Sequence, residues 1–206
     1  MFSYQLPDSG VNFANAGICS IIIISVFIRM SFAYTQKRAH KQYSRGKQPA
    51  PSIPAFSRLS KALFVSSMLV CLMSYWFSSI VFLQIKPSPA IQLLGASCVL
   101  YGSIRLECAF SSLGNNYSPL FEAYMPFQLI TQGAYRRIRH PVYLYNLFVS
   151  FGLAISSGSA LVAINAGIGL VFVLKAIRLE EVYLVEHFSE YSDYQKHSWR
   201  LIPYVY

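Results

Sequence analysis

Five apolar stretches, parted by short polar segments, restrict this chain to one solvent in which it can fold. Residues 16–34 centre on Ile21-Ile22-Ile23-Ile24. They match the roughly 20 helical residues that cross a hydrocarbon layer of about 30 Å. Residues 62–83 and 90–110 repeat that length. Residues 142–156 and 160–176 are shorter, and Ser156-Ser157-Gly158-Ser159 joins them tightly. That pair predicts a helical hairpin packed against the other spans, short of two comfortable crossings. Only 12% of the 206 residues are charged, against 54% hydrophobic. A soluble domain carries about a quarter charged residues, so here the polar side chains cannot cover a globular surface. The expected fold is an all-α integral membrane protein of about five hydrophobic helices.

The charges are placed as a membrane protein places them. Lys37, Arg38, Lys41, Arg45, Lys47, Arg58 and Lys61 crowd the segment after the first span, which also holds Pro49, Pro51 and Pro54. That composition suits a loop with little structure. The turn at residues 84–89 carries only Lys86, and basic residues return at Arg136–Arg139 and after Lys175. Basic loops stay in the cytosol, which puts the N-terminus outside and the C-terminus inside. The net charge of +9 therefore reads as cytosolic anchoring and attraction to anionic lipid rather than nucleic-acid binding. Residues 1–15 hold no positive charge, which fits a retained first span better than a cleaved signal. Arg105 and Glu107 fall near the end of the third span, where a long side chain can snorkel to the headgroups.

Metal and disulfide chemistry find no support. Cys19, Cys71, Cys98 and Cys108 each lie in an apolar stretch without Cys-x-x-Cys spacing, and the four histidines are dispersed. Neither a Ser-His-Asp pattern nor a Gly-x-Gly-x-x-Gly loop is present.

Two polar constellations remain. Arg137, Arg139, His140 and Tyr143 precede or open one arm of the hairpin; Arg178, Glu180 and Glu181 follow the other. Pro141, with no N–H and a fixed φ, suits the first turn of a helix whose amide dipoles attract anions. Closing the hairpin brings both groups to the cytosolic interface. This makes a pocket with a polar roof and an apolar floor, suited to a water-soluble cofactor and a lipophilic substrate. Adjacent carboxylates on a helix point about 100° apart, so Glu180 and Glu181 should do different jobs. The plainer alternative is that the basic cluster only marks topology and the acids only cap a solvated helix.

The wording around these residues is more specific. Residues 128–143, Gln-Leu-Ile-Thr-Gln-Gly-Ala-Tyr-Arg-Arg-Ile-Arg-His-Pro-Val-Tyr, resemble the core motif of isoprenylcysteine carboxyl methyltransferases and related membrane methyltransferases. In that family a Leu-Val-Thr-x-Gly-Pro-Tyr phrase precedes Arg-His-Pro-x-Tyr. The family's Arg-x-Glu-Glu phrase is matched by Arg178-Leu179-Glu180-Glu181. The upstream Leu113-Gly114-Asn115-Asn116-Tyr117-Ser118 and the endings Glu190–Tyr194 and Arg200-Leu201-Ile202-Pro203 also fit. Ala134 replaces the usual proline, and Phe127 stands where a histidine often does.

The resemblance covers residues 113–206, the expected methyltransferase core; residues 1–112 would be N-terminal membrane helices and the basic loop. It implies an S-adenosylmethionine-dependent enzyme without a Rossmann domain; the expected location is the endoplasmic reticulum membrane, with another endomembrane or a bacterial inner membrane as alternatives. Carried over by position, His140, Pro141, Tyr143 and Glu181 would contact the cofactor, with Arg139 and Tyr135 beside them. Arg178 would position the acceptor and Glu180 would help hold that cluster. The implied partners are membrane lipid and a lipophilic substrate entering from the bilayer: a prenylcysteine carboxylate, a terpenoid-type molecule or a phospholipid. The competing reading is a membrane sterol or enone reductase using NADPH, whose endings resemble Trp199–Tyr204; Arg178-Leu179-Glu180-Glu181 argues against it. A scaffold would have no reason to pair the two phrases.

Overall fold

The structure, a computed structural model, describes residues 18–25, 27, 54–76, 85, 87–116 and 128–206. Its order is α1 (18–25), α2 (Pro54–Trp76), α3 (Pro89–Leu113), α4 (Pro141–Ser157), α5 (Ala160–His187) and α6 (Tyr191–Lys196), with short 3-10 turns at Gly114–Asn116 and Gly133–Tyr135. No strand occurs among the described residues; one parallel bridge joins Ile138 to Trp199.

α3 and α5 are long and apolar enough to cross a membrane. The apolar part of α2, Ala62–Met73, and the whole of α4 are shorter. Most of the first expected span and of the basic loop falls outside the described residues, as do residues 117–127 of the expected methyltransferase core. Two expectations need correction. The loop does not stay unstructured to Lys61, because α2 begins at Pro54, where a missing N–H costs nothing at the first helical position. Likewise α5 does not end where its apolar run ends: it continues unbroken from Ala160 to His187. Nothing between Lys175 and His187 breaks a helix, and only the composition of its surface changes.

α3 and α4 run antiparallel at close quarters. A Cβ at Gly95 would sit 2.4 Å from Ser156 N and 2.7 Å from Gly152 O. One at Gly152 would sit 2.8 Å from Gly95 O, so each backbone fills the space a side chain would need. Ser156 Oγ donates to Gln92 O (3.0 Å) across the same contact. Gly158 ends α4 at φ +62, a left-handed cap open to glycine, and its carbonyl accepts from Ile85 N (3.1 Å). The expected hairpin is thus present as α4 and α5. Behind it, Met68 and Cys71 of α2, Ala96 and Val99 of α3, Val149 and Leu153 of α4, and Val162 of α5 form one apolar core with Ile18 and Ile22. Asn165 Nδ2 donates to Ser66 Oγ and Ser67 Oγ (3.1 Å each), tying α5 to α2 by a polar contact inside that packing.

Candidate active site

The open end of the hairpin carries the site. Pro141 is fully buried at the first position of α4, and His140 caps that helix. On α5, past the apolar run that ends at Ile177, Glu180 and Glu181 reach back toward them. Two short chain segments close the cluster. Arg139 N donates to Trp199 O (2.7 Å), His140 N to Arg200 O (3.1 Å) and Trp199 N to Arg137 O (2.9 Å). These bonds clamp the C-terminal tail along residues 137–140.

At the centre is the Glu181 carboxylate, with its side chain 5% exposed. Its Oε1 accepts from Arg139 Nε at 2.8 Å and its Oε2 from Arg200 Nε at 2.7 Å. His140 Nε2 lies 3.4 Å from Oε1. Burial alone would raise the pKa of this acid, but the bonds from His140, Arg139 and Arg200 outweigh it and hold the carboxyl at about 2. The Arg139 guanidinium is itself 8% exposed, and its Nη1 also donates to Gln195 O (3.2 Å), Ser198 O and Ser198 Oγ. One arginine thus joins the hairpin mouth, α5, α6 and the tail.

Glu180 behaves differently, as the 100° between neighbouring helical residues requires. Its side chain is 44% exposed, and its Oε2 accepts from Tyr143 Oη at 2.8 Å. His140 Nδ1 is 3.6 Å from the same oxygen. The imidazole therefore stands between the two acids, stacked on the Tyr143 ring at 5.5 Å. Beneath it, Tyr143, Ala176, Ile177 and Leu201 form the apolar floor. Tyr135 is buried in its 3-10 turn, and its carbonyl accepts from Tyr194 Oη.

Seven of the eight expected site residues are therefore in or against this cluster. Arg178 is not brought in. It is exposed on α5 and makes no hydrogen bond or ion pair among the described residues. The carboxylates that follow it in sequence bond to other partners.

Sequence reasoning assigned no role to Arg200, Ser198, Tyr194 or Tyr191, all of which close the site. The Glu190–Tyr194 and Arg200-Leu201-Ile202-Pro203 endings hinted at Tyr191, Tyr194 and Arg200, and nothing pointed to Ser198. Tyr191 is 1% exposed, and its hydroxyl has no hydrogen-bond partner among the described residues. Burial pushes the Tyr191 hydroxyl well up, and the Tyr194 hydroxyl up to about 12, so both remain donors at neutral pH. No group of three or more His, Cys, Asp or Glu able to hold a metal occurs among the described residues.

Comparison with known proteins agrees with this architecture. The family model for phospholipid methyltransferases matches residues 90–191, which run from α3 into α6. The protein-S-isoprenylcysteine O-methyltransferase of Dictyostelium discoideum is 28% identical over 217 residues, spanning 100% of this chain and 81% of that protein. A probable protein-S-isoprenylcysteine O-methyltransferase of Oryza sativa subsp. indica is 24% identical over 158 residues, 75% of this chain and 83% of that protein. A cobalt-zinc-cadmium resistance protein of Cupriavidus metallidurans shares 31% over 114 residues, 54% of this chain and 47% of its own length. The long apolar helices, the polar cluster at the hairpin mouth and these relatives define a membrane methyltransferase. Within that class the family match and these relatives support an isoprenylcysteine O-methyltransferase-like family. These relatives do not favour the reductase alternative.

Proposed function

We propose that the protein transfers a methyl group from S-adenosylmethionine to a carboxylate on a lipophilic acceptor drawn from the bilayer. The acceptor class that the relatives' names favour is a C-terminal prenylcysteine. The observation that carries this reading is the buried Glu181–Arg139–His140 cluster, which sits over an apolar floor at the mouth of the α4–α5 hairpin.

The residues present fit the cofactor. Glu180 offers a half-exposed negative charge to a cationic sulfonium or amino group. Tyr191 offers a buried hydroxyl without a partner among the described residues, a donor suited to a carboxylate or a ribose oxygen. His140, Pro141, Tyr143 and Glu181 form the wall that would meet the cofactor, and Arg139 and Tyr135 fasten the tail over it. When bound, S-adenosylmethionine supplies an electrophilic methyl group on a sulfonium.

A carboxylate acceptor is already ionised at neutral pH, so the protein needs no general base. It must align the acceptor and strip its water. Arg178 stands where the apolar run of α5 meets the interface, its guanidinium uncommitted among the described residues. It is placed to grip an incoming carboxylate through two parallel N–H bonds, a geometry an ammonium cannot reproduce. The chain would cross the membrane several times, with its C-terminus in the cytosol and the endoplasmic reticulum as its membrane.

The test is methyl transfer from labelled S-adenosylmethionine by detergent-purified protein, offered a prenylcysteine analogue and, separately, a membrane lipid extract. Turnover on the analogue is expected. Arg178→Lys should bind cofactor nearly as well and lose most of that turnover. Binding of NADPH without S-adenosylmethionine would overturn the reading, and a fully active Arg178→Lys would remove the role given to Arg178.

A further inference from the structure

A second polar cluster lies on the other side of α4. Arg105, in the apolar helix α3, donates from Nε (3.3 Å) and Nη2 (3.1 Å) to Tyr145 Oη, and its guanidinium carbon lies 5.4 Å from the centre of the Tyr145 ring. Among the described residues no carboxylate stands within ion-pair distance of Arg105. A cation in a membrane helix with no counter-ion among the described residues is costly and points to a functional position.

The inventory of donors gives the chemistry. A guanidinium carries five N–H donors and accepts nothing. Two go to Tyr145, whose oxygen thereby becomes the acceptor, and the hydroxyl hydrogen of Tyr145 has no acceptor among the described residues. The pair therefore presents several donors and no free acceptor, which is the requirement of an anion. We propose that Arg105 and Tyr145 hold the phosphate of a membrane phospholipid, seated against α3 and α4.

Location selects the phospholipid over the other anions available. Tyr145 is the fifth residue of α4, so it lies about 6 Å below the mouth of the hairpin at 1.5 Å per residue. That depth suits a headgroup phosphate. Tyr101 and Phe148, both exposed, pack edge to face at 5.5 Å beside the cluster, as aromatic side chains do at a bilayer interface. Exposed Ile104 offers an apolar surface to an acyl chain. A free phosphate has no use for such surroundings. The methyl acceptor is excluded by the helix itself: Tyr143 packs with Ala176, Ile177 and Leu201, whereas Tyr145 packs with Leu106 and Ala109. An anion on Arg105 is a helix away from Glu181.

Native mass spectrometry of the delipidated full chain in detergent tests this, with dioleoylphosphatidylglycerol as probe. Dioleoylglycerol, inorganic phosphate and a prenylcysteine analogue serve as comparison arms. One phosphatidylglycerol should bind, at least tenfold tighter than to Arg105→Gln, since charge-assisted bonds are the strong ones. Tyr145→Phe, which keeps the ring packing and removes one donor, should weaken binding about threefold. It carries the test should Arg105→Gln fail to fold. Dioleoylglycerol should not bind there, and neither phosphate nor the analogue should displace the lipid. Equal retention by both variants, retention of dioleoylglycerol at the same site, or displacement by phosphate or by the prenylcysteine analogue would each overturn the proposal.

Discussion

Replacing Glu181 tests which arginines the site is built on. Its carboxylate neutralises Arg139 at 2.8 Å with both side chains under a tenth exposed, and Arg200 at 2.7 Å with that arginine 39% exposed. Removing one member of a buried ion pair costs about 3–5 kcal/mol, because the partner charge is left in a low dielectric. The Arg200 bond is open to solvent and adds no more than about 1 kcal/mol. Glu181→Ala should therefore lose about 3–5 kcal/mol, dominated by Arg139, and Glu181→Gln, which keeps one acceptor, about half that. A double-mutant cycle separates the partners. Arg139→Ala with Glu181→Ala should show a coupling of about 2 kcal/mol or more, while Arg178→Ala with Glu181→Ala should add within about 0.5 kcal/mol. Reversible unfolding in mixed micelles measures both cycles. Coupling of Glu181 to Arg178 as strong as its coupling to Arg139 would refute the assignment.

Three further outcomes are expected. The Glu181 carboxyl, at about 2 against an ordinary 4.5, is protonated more readily in the unfolded chain. Its contribution, on the order of 3 kcal/mol, should be fully present above about pH 4.5 and vanish as pH falls toward 2; unfolding titrations in which wild type and Glu181→Gln converge already above pH 6 would contradict this. Gly95→Ala places a Cβ 2.4 Å from backbone and should force α3 from α4 at a cost of about 3 kcal/mol. Gly167→Ala meets nothing within 4 Å and should be neutral or slightly stabilising; equal melting temperatures for the two would sink the close-contact account. Cysteines placed at Ser44 and at exposed Ser192, in a cysteine-free background, should react with an impermeant reagent from the same side of the membrane.

Much of the architecture was legible because its cause is local. An apolar run without helix breakers forms a helix wherever lipid surrounds it, so α3, α4 and the first part of α5 follow from composition, and Gly158 marks the reversal between the last two. The two phrases at residues 139–143 and 178–181 could be read together because a hairpin must return its ends to one place. Helix ends were less legible. The extent of α5 depends on the docking of its polar extension, and the composition change at Lys175 says nothing about that.

The sequence by itself pointed to lipid as the solvent and determined α3, α4, the first part of α5, the α4–α5 hairpin and the residue types at its mouth, because each rests on neighbours within a few turns. Only the tertiary structure decided how the charges pair. Glu181 has Arg178 three residues away on its own helix, a spacing at which side chains can meet. It bonds instead to Arg139, 42 residues away, and to Arg200, 19 away. Burial is the physical reason. Glu181 faces the packed side of α5, where an unpaired carboxylate would be costly, and the groups able to reach that side come from the mouth of α4 and from the tail clamped along residues 137–140. Arg178 stays on the exposed surface of α5, outside that pairing among the described residues.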